Sequence, residues 1–133
     1  MTDVETLRVL EGDAVRATAY ALDQQYGFVS EATQYYKRAV SGLEQFVTER
    51  PDYADGFYLL GNAYFADNQR PKAIQAYTKA LELAPAFAKA HYNLGMIYVL
   101  ERNRTSAMAQ YNQLLKVDSE LAAQLKAEID KIG

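Results

Sequence analysis

The chain has 133 residues, of which 50% are hydrophobic, and this length suits one domain with a sizeable core. Its net charge of −3 argues against a nucleic-acid partner, because nucleic-acid binders concentrate Lys and Arg on one face. The absence of cysteine excludes disulfides and thiolate chemistry, and a single histidine leaves no usual metal site. We therefore expect one domain over residues 1–133, with no metal and no cofactor.

The N-terminus and the hydropathy pattern bear on where the protein is found. Asp3 and Glu5 stand where a secretory signal would carry a basic segment followed by an apolar run. No stretch approaches the roughly 18 consecutive apolar residues of a membrane span. We expect a cytoplasmic protein that does not insert directly into a membrane.

The first predicted element is a helical hairpin over residues 1–51. Its opening helix, over about 3–25, has an apolar face at i, i+3 and i+4 spacing, formed by Val4, Leu7, Leu10, Ala14, Ala17 and Ala21. Gly27 and Phe28 form the turn, and Ser30 is a candidate N-cap for a second helix that runs to about Glu49.

The second hairpin follows a proline. Pro51 ends the preceding helix, and Asp52 is the predicted N-cap of a helix over about 54–66. Pro71 then opens a helix over about 71–84, because the missing N–H of proline costs nothing in the first turn.

The third hairpin and a tail complete the chain. Helices are predicted over about 88–101 and 105–117, with Thr105 as the N-cap of the second. The tail over 119–133 is amphipathic, with one apolar side formed by Leu121, Leu125, Ile129 and Ile132. Because a stack of helices exposes an apolar end, we predict that this tail is a capping helix. A helix that docks onto a partner is the alternative.

Residues 54–87 and 88–121 carry the same pattern twice, with each counterpart 34 positions later. The pattern is a large residue, Leu-Gly, Tyr, Ala and a second Tyr: Phe57, Leu60, Gly61, Tyr64, Ala73 and Tyr77, then His91, Leu94, Gly95, Tyr98, Ala107 and Tyr111. Self-similarity at this period indicates stacked repeats, in which no unit buries its apolar face alone. Gly61 and Gly95 fall inside helices, which suggests that a paired helix comes close to them.

Over residues 54–118, this pattern resembles the tetratricopeptide repeat (TPR) family. The resemblance implies helix-turn-helix units that bind proteins or peptides. We predict an all-α, TPR-type helical solenoid of three antiparallel hairpins plus the C-terminal capping helix, with repeats at 54–87 and 88–118.

The first hairpin departs from the period. Ala32, Tyr36 and Ala39 match the signature of the second repeat at an offset of 41 instead of 34. Seven extra residues are about two helical turns, so we predict that the helix extends through 40–49 without changing its packing face. We interpret this hairpin as an extended, divergent first repeat. A MIT domain, which binds amphipathic helices, is the alternative.

The sequence contains no persuasive catalytic constellation. His91 occupies the large-residue position of the repeat, where packing is the simplest role, and no activated nucleophile or orienting carboxylate is evident beside it. We expect a protein that is not an enzyme.

In the TPR family, the first helix of each pair lines a concave surface where peptides bind. Phe57 is expected in the core and its neighbour Tyr58 on the exposed face. The predicted peptide-binding groove comprises Tyr58, Asn62, Phe65, Lys89, Tyr92, Asn93, Met96 and Lys126. Stripes at i, i+4 and i+7, which also include Val99, support this choice.

We therefore predict an adaptor that holds a peptide or helix segment of a partner protein in this groove. A carboxylate clamp of the chaperone type is disfavoured, because Tyr58, Ala123 and Ala127 stand where its cations belong. The alternative function is a structural unit that forms homo-oligomers through the groove or the solenoid ends.

Overall fold

The computed structural model describes residues 29–132, and all regular structure in that range is helical. The helices are α1 (Val29–Glu49), α2 (Ala54–Ala66), α3 (Arg70–Leu83), α4 (Ala88–Leu100), α5 (Arg104–Leu114) and α6 (Ser119–Asp130). The all-α prediction is confirmed. The predicted opening helix over 3–25 and the turn at 27–28 lie outside the described residues.

Most helix boundaries lie within one residue of those predicted from the sequence. The largest differences are three residues: α5 ends at Leu114, where the sequence predicted 117, and α6 ends at Asp130, where the sequence predicted 133. The backbone N–H groups of Val117 and Asp118 both donate to the carbonyl oxygen of Leu114, at 3.0 and 2.8 Å. These bonds turn the chain, so α5 is one turn shorter than expected.

The second helix of the first hairpin is continuous to Glu49, which confirms the predicted two-turn extension. Its packing face is a single stripe of buried side chains at i, i+3 and i+4 spacing: Tyr36, Ala39, Val40, Leu43 and Val47. The extra residues therefore continue the same face, because seven residues complete nearly two whole turns.

The chain divides into two compact units, with the boundary between Ala76 and Tyr77 inside α3. In the first unit, α1 and α2 run antiparallel. Glu44 of α1 accepts a hydrogen bond from the hydroxyl of Tyr64 near the end of α2. At the other end, Val47 lies against Gly56 near the start of α2.

Gly56 is the point of closest approach between α1 and α2. A Cβ atom built on Gly56 would lie 2.8 Å from a ring carbon of Phe46 and 3.2 Å from Val47 Cγ1. These distances are shorter than normal van der Waals contact. The missing side chain is therefore what allows the Phe46 ring to lie over α2.

The second unit contains the end of α3 together with α4, α5 and α6. Its core cluster comes from α5 and α6 and comprises Ala107, Leu114, Ala122, Leu125 and Ile129, each 0% exposed. Side chains of α4 pack against this cluster, so α6 completes the core of the unit.

Three predicted N-caps are wrong. Ser30 lies inside α1, which begins at Val29. Tyr53, not Asp52, precedes α2, and it makes no side-chain capping bond. Asn103, not Thr105, caps α5, because its side-chain oxygen accepts from the backbone N–H of Ser106 at 3.1 Å. A polar residue near a helix start is compatible with several positions, and the preceding turn decides which one lies at the cap.

The turns that follow α2 and α4 have the same backbone form. Asn68 and Arg102 lie 34 positions apart and have φ angles of 61° and 57°, in the left-handed region. In each turn the backbone N–H of the next residue donates to a carbonyl oxygen five positions earlier, from Gln69 to Tyr64 and from Asn103 to Tyr98, at 2.8 Å. The sequence repeat thus extends to the turn geometry.

Candidate functional site

In the first unit, the predicted groove residues are Tyr58, Asn62 and Phe65 of α2. Tyr58 is 4% exposed and Asn62 is 8% exposed, so both are buried. The expectation that they face solvent is wrong. Phe65 is half-buried, and the Arg70 guanidinium lies 6.0 Å from its ring centroid, within cation–π range. Phe65 therefore keeps accessible surface where Tyr58 and Asn62 do not.

The expected roles of two neighbouring aromatic residues are also reversed. Phe57, predicted in the core, is half-buried, whereas Tyr58 is buried. Adjacent residues on a helix point about 100° apart, so one ring is covered when the other is not. The repeat pattern alone does not fix which of the two is covered.

In the second unit, the predicted stripe on α4 is present and only half-buried. Tyr92, Met96 and Val99 pack against the core cluster of α5 and α6. Their i, i+4, i+7 spacing places them on one face of α4. Asn93 is also half-buried, and Lys89 is exposed. The stripe therefore supports α6 and still leaves apolar surface open.

Lys126 lies on α6, where its charge is engaged within the same helix. Its Nζ donates to Asp130 Oδ1 at 2.8 Å, and Arg104 of α5 lies 3.6 Å from the same oxygen. The hydrogen bond from Lys126, followed by the charges of Lys126 and Arg104, lowers the pKa of Asp130 despite some desolvation. Lys126 therefore stabilises the end of α6, and its predicted role as the basic end of a groove stays a prediction.

A notch at Gly95 holds the centre of α6. A Cβ atom on Gly95 would lie 2.6 Å from Leu125 Cδ2 and 3.3 Å from Gln110 Cβ. Both distances are too short for a normal contact. The expectation that a helix comes close to Gly95 is confirmed, and both α5 and α6 do so.

His91 is buried between α4, α5 and the turn that precedes α4. Its Nε2 lies 2.8 Å from the carbonyl oxygen of Pro85, and its Nδ1 lies 2.8 Å from Gln110 Oε1. A backbone carbonyl oxygen only accepts, so Nε2 carries a proton and donates it, and Nδ1 is then the acceptor that faces the side-chain amide group of Gln110. Both ring nitrogens are engaged, which makes His91 a packing residue that joins three segments.

The described residues offer no arrangement suited to acid–base or metal chemistry. Burial, followed by the hydrogen bond to Glu44, raises the pKa of Tyr64, and burial followed by the charge of Glu101 raises the pKa of Tyr98. A raised pKa keeps a phenol protonated, which is the wrong direction for a base or nucleophile. Within residues 29–132, no group of His, Asp or Glu side chains could hold a metal ion.

No helix within residues 29–132 combines the length and the apolar character required to cross a bilayer.

A surface depression lies at the ends of α4 and α6, and the sequence did not predict it. Its lining consists of Val99, Leu100, Arg102, Glu128, Lys131 and Ile132. We call it the α4–α6 depression. Val99 belongs to the predicted stripe, so the depression continues that stripe toward the C-terminal ends of both helices. No periodic signal marks such a site, because it depends on where two helices end side by side.

Comparison with known proteins agrees with this architecture. A family model described as "TPR repeat" matches residues 61–100, and one described as "Tetratricopeptide repeat" matches residues 88–121. Residues 61–121 of the chain are tetratricopeptide repeats. These repeats cover the part of the chain in which the sequence pattern recurs.

Solved structures show the same fold. MamA from Desulfovibrio magneticus RS-1, residues 41 to the end, has 26% identity and a TM-score of 0.62, covering 88% of this chain and 68% of that one. A second MamA crystal structure has 22% identity and a TM-score of 0.61, covering 98% and 69%. No curated protein matches this chain.

Tetratricopeptide repeats are interaction scaffolds, and proteins built from them are generally not enzymes. The chain is accordingly a helical-repeat scaffold for protein interaction.

Proposed function

We propose that the chain holds a peptide or helical segment of a partner protein against the stripe of Tyr92, Met96 and Val99 on α4. The supporting observation is that these three side chains form one continuous apolar face that α6 covers only in part. Partly open aromatic and methionine surface is enriched at the centres of protein interfaces. Asn93 and Lys89 flank the stripe and supply polar groups at its border.

The chemistry of the stripe favours a protein partner over other ligands. Met is flexible and polarisable and fits varied apolar side chains, while Tyr combines a large apolar ring with a hydroxyl that hydrogen-bonds. A net charge of −3 provides little attraction for a phosphate backbone. We therefore propose that nucleic acid is not a partner and that the chain carries no catalytic activity of its own.

The first unit contributes a separate candidate contact. Phe65 is half-buried and has the Arg70 guanidinium over its ring. Aromatic and arginine side chains are the commonest energetic centres of protein interfaces. We propose Phe65 as a secondary contact, whereas the buried Tyr58 and Asn62 support the shape of α2 from inside.

A partner captured by pull-down with the full chain tests the proposal. Tyr92→Ala and Met96→Ala should each weaken its binding by about 1–2 kcal/mol in isothermal titration. Leu115→Ala is the matched control, because Leu115 is 49% exposed on the turn after α5 and lies outside the stripe. Circular dichroism confirms that each variant is folded. Unchanged affinity in the folded stripe variants would place the binding surface elsewhere.

Self-assembly is the second candidate, supported by a different observation. Leu115 and Val117 are 49% and 43% exposed on the turn between α5 and α6, and large apolar side chains in such turns favour association. Light scattering over a range of concentrations tests this candidate. A mass that rises with concentration in the wild type but not in Leu115→Ser/Val117→Ser would support it, and a constant monomer mass would exclude it.

A further inference from the structure

The α4–α6 depression combines apolar and charged groups in a small area. Val99, Leu100 and Ile132 supply its apolar lining, while Arg102, Glu128 and Lys131 supply its charged lining. Leu100, the last residue of α4, is 48% exposed and lies beside the apolar side chains of Val99 and Ile132 in the lining. The depression thus offers an open apolar contact beside charged side chains.

The charged side chains of the depression differ in whether they form an ion pair. Lys131 Nζ donates to Glu128 Oε1 at 3.0 Å, so these two groups neutralise each other. The neighbouring Asp130 is engaged by other cations, and Glu101 acts on the hydroxyl of Tyr98. Within residues 29–132, no acidic side chain forms an ion pair with Arg102. The depression therefore carries one positive charge without a counter-charge.

The backbone conformation of Arg102 independently indicates a function for its side chain. Its φ of 57° is left-handed, and the equivalent position of the preceding repeat holds Asn68 at 61°. Asparagine tolerates this conformation because its short side chain bonds to nearby backbone, whereas arginine has no such compensation. A strained residue in place of a favourable one points to a function for its side chain.

We propose that the α4–α6 depression binds a partner segment in which an apolar side chain is followed by an acidic side chain. The apolar group contacts Leu100 and Ile132, and the carboxylate pairs with Arg102. This inference rests on the proposed protein-binding function and names the chemistry of the segment at one end of the stripe. Salt bridges of this exposed kind contribute mainly to selectivity between partners.

The arrangement favours an internal segment over a free chain terminus. Capture of a terminal carboxylate relies on backbone N–H groups that converge on it. Here α4 and α6 end at Leu100 and Asp130, so both present the carbonyl ends of their helices to the depression. A side-chain carboxylate on a flexible stem reaches Arg102 without approaching these carbonyls.

Short peptides of known sequence test the proposal on the full chain. The probe is acetyl-Gly-Leu-Glu-Gly-amide, and its counterparts replace Glu by Gln, replace Leu by Ala, or end in a free leucine carboxylate. Binding is followed by ¹H–¹⁵N chemical-shift titration at low ionic strength. The probe should shift the signals of Leu100, Arg102 and Ile132, and replacing Glu by Gln should weaken binding by about threefold to fivefold.

The variant Arg102→Asn distinguishes a role of the Arg102 charge in binding from a role of Arg102 in stability. This variant should bind the Glu and Gln peptides equally, and its melting temperature should rise by a few degrees because the left-handed strain is relieved. Lys116→Asn is the matched control: it removes one exposed positive charge outside the depression and should retain the preference for Glu. A lower melting temperature in Arg102→Asn would assign Arg102 a structural role and overturn the proposal.

Two further outcomes distinguish this inference from the proposed function. If the peptide shifts only Tyr92 and Met96, or if the free leucine carboxylate binds best, the acidic-segment proposal is wrong while binding to the chain stands. If no peptide shifts any signal but Tyr92→Ala still weakens a captured partner, the depression is excluded and the stripe is retained. Loss of both effects would overturn both proposals.

Discussion

The notch at Gly95 allows a sharp test of how α6 is held. Gly95→Ala adds one methyl group at a point 2.6 Å from Leu125 Cδ2 and 3.0 Å from Cδ1. Leu125 is 0% exposed, so its side chain has no solvent-filled space into which to move. Either α6 shifts outward or Leu125 leaves its rotamer, and both responses weaken the core of the second unit.

The expected magnitude follows from two opposing effects. Replacing glycine by alanine inside a helix stabilises it by about 1 kcal/mol, whereas overpacking a filled core costs about 1–3 kcal/mol. Gly95→Ala should therefore be less stable than the wild type by about 0–2 kcal/mol. The size of this loss depends on how far the surrounding residues give way.

Gly42 provides the matched control within the same chain. It lies inside α1, and a Cβ atom built there meets nothing within 4 Å. Gly42→Ala gains the same helix propensity without the clash, so it should be stabilised by about 1 kcal/mol. The difference between the two variants in urea denaturation should be about 1–3 kcal/mol. Equal stabilisation by both substitutions would refute the reasoning.

Three further predictions follow from burial, capping and pKa. Tyr58→Ala should reduce the free energy of unfolding by about 3–5 kcal/mol, and Phe57→Ala by clearly less, because the first ring is buried and the second is half-buried; a larger loss at Phe57 in urea denaturation would contradict this. Asn103→Ala should cost about 1 kcal/mol by removing the N-cap of α5, whereas Thr105→Ala should cost much less in the same assay. The pKa of Tyr64 is raised above its ordinary value of 10.0, so the folded state favours the protonated phenol. Its contribution to stability is complete below pH 10 and is lost as the pH rises beyond it; thermal melts should show a smaller alkaline decrease in Tyr64→Phe, and an identical decrease would argue against this role.

The helices were predictable because their ends carry strong local signals. Pro51 and Pro71 mark boundaries, and α2 begins and ends at the predicted residues. The seven extra residues of α1 were also predictable, since two whole turns return the apolar stripe to the same face. Local backbone preference and hydrophobic periodicity are sufficient to predict helix boundaries and the packing face of a helix.

Burial and capping were less predictable because they depend on neighbours distant in sequence. Phe57 and Tyr58 are equally large and adjacent, and tertiary packing alone selects the buried one. The cap of α5 depends on the left-handed turn at Arg102, which places Asn103 at the helix start. The α4–α6 depression exists because two helix ends lie together. Residues 100 and 131, which both line it, are distant in sequence and belong to no common periodic pattern.

The contacts that attach α6 determine where additional repeats can be added to this protein. Asp118 caps the start of α6, Leu125 fills the notch at Gly95, and Arg104 bonds the carbonyl oxygen of Ile129 at its end. An additional repeat fused after α6 would meet a helix already fixed along its whole length. Further 34-residue units are better inserted before the third hairpin, because α6 then keeps its attachments to α4 and α5.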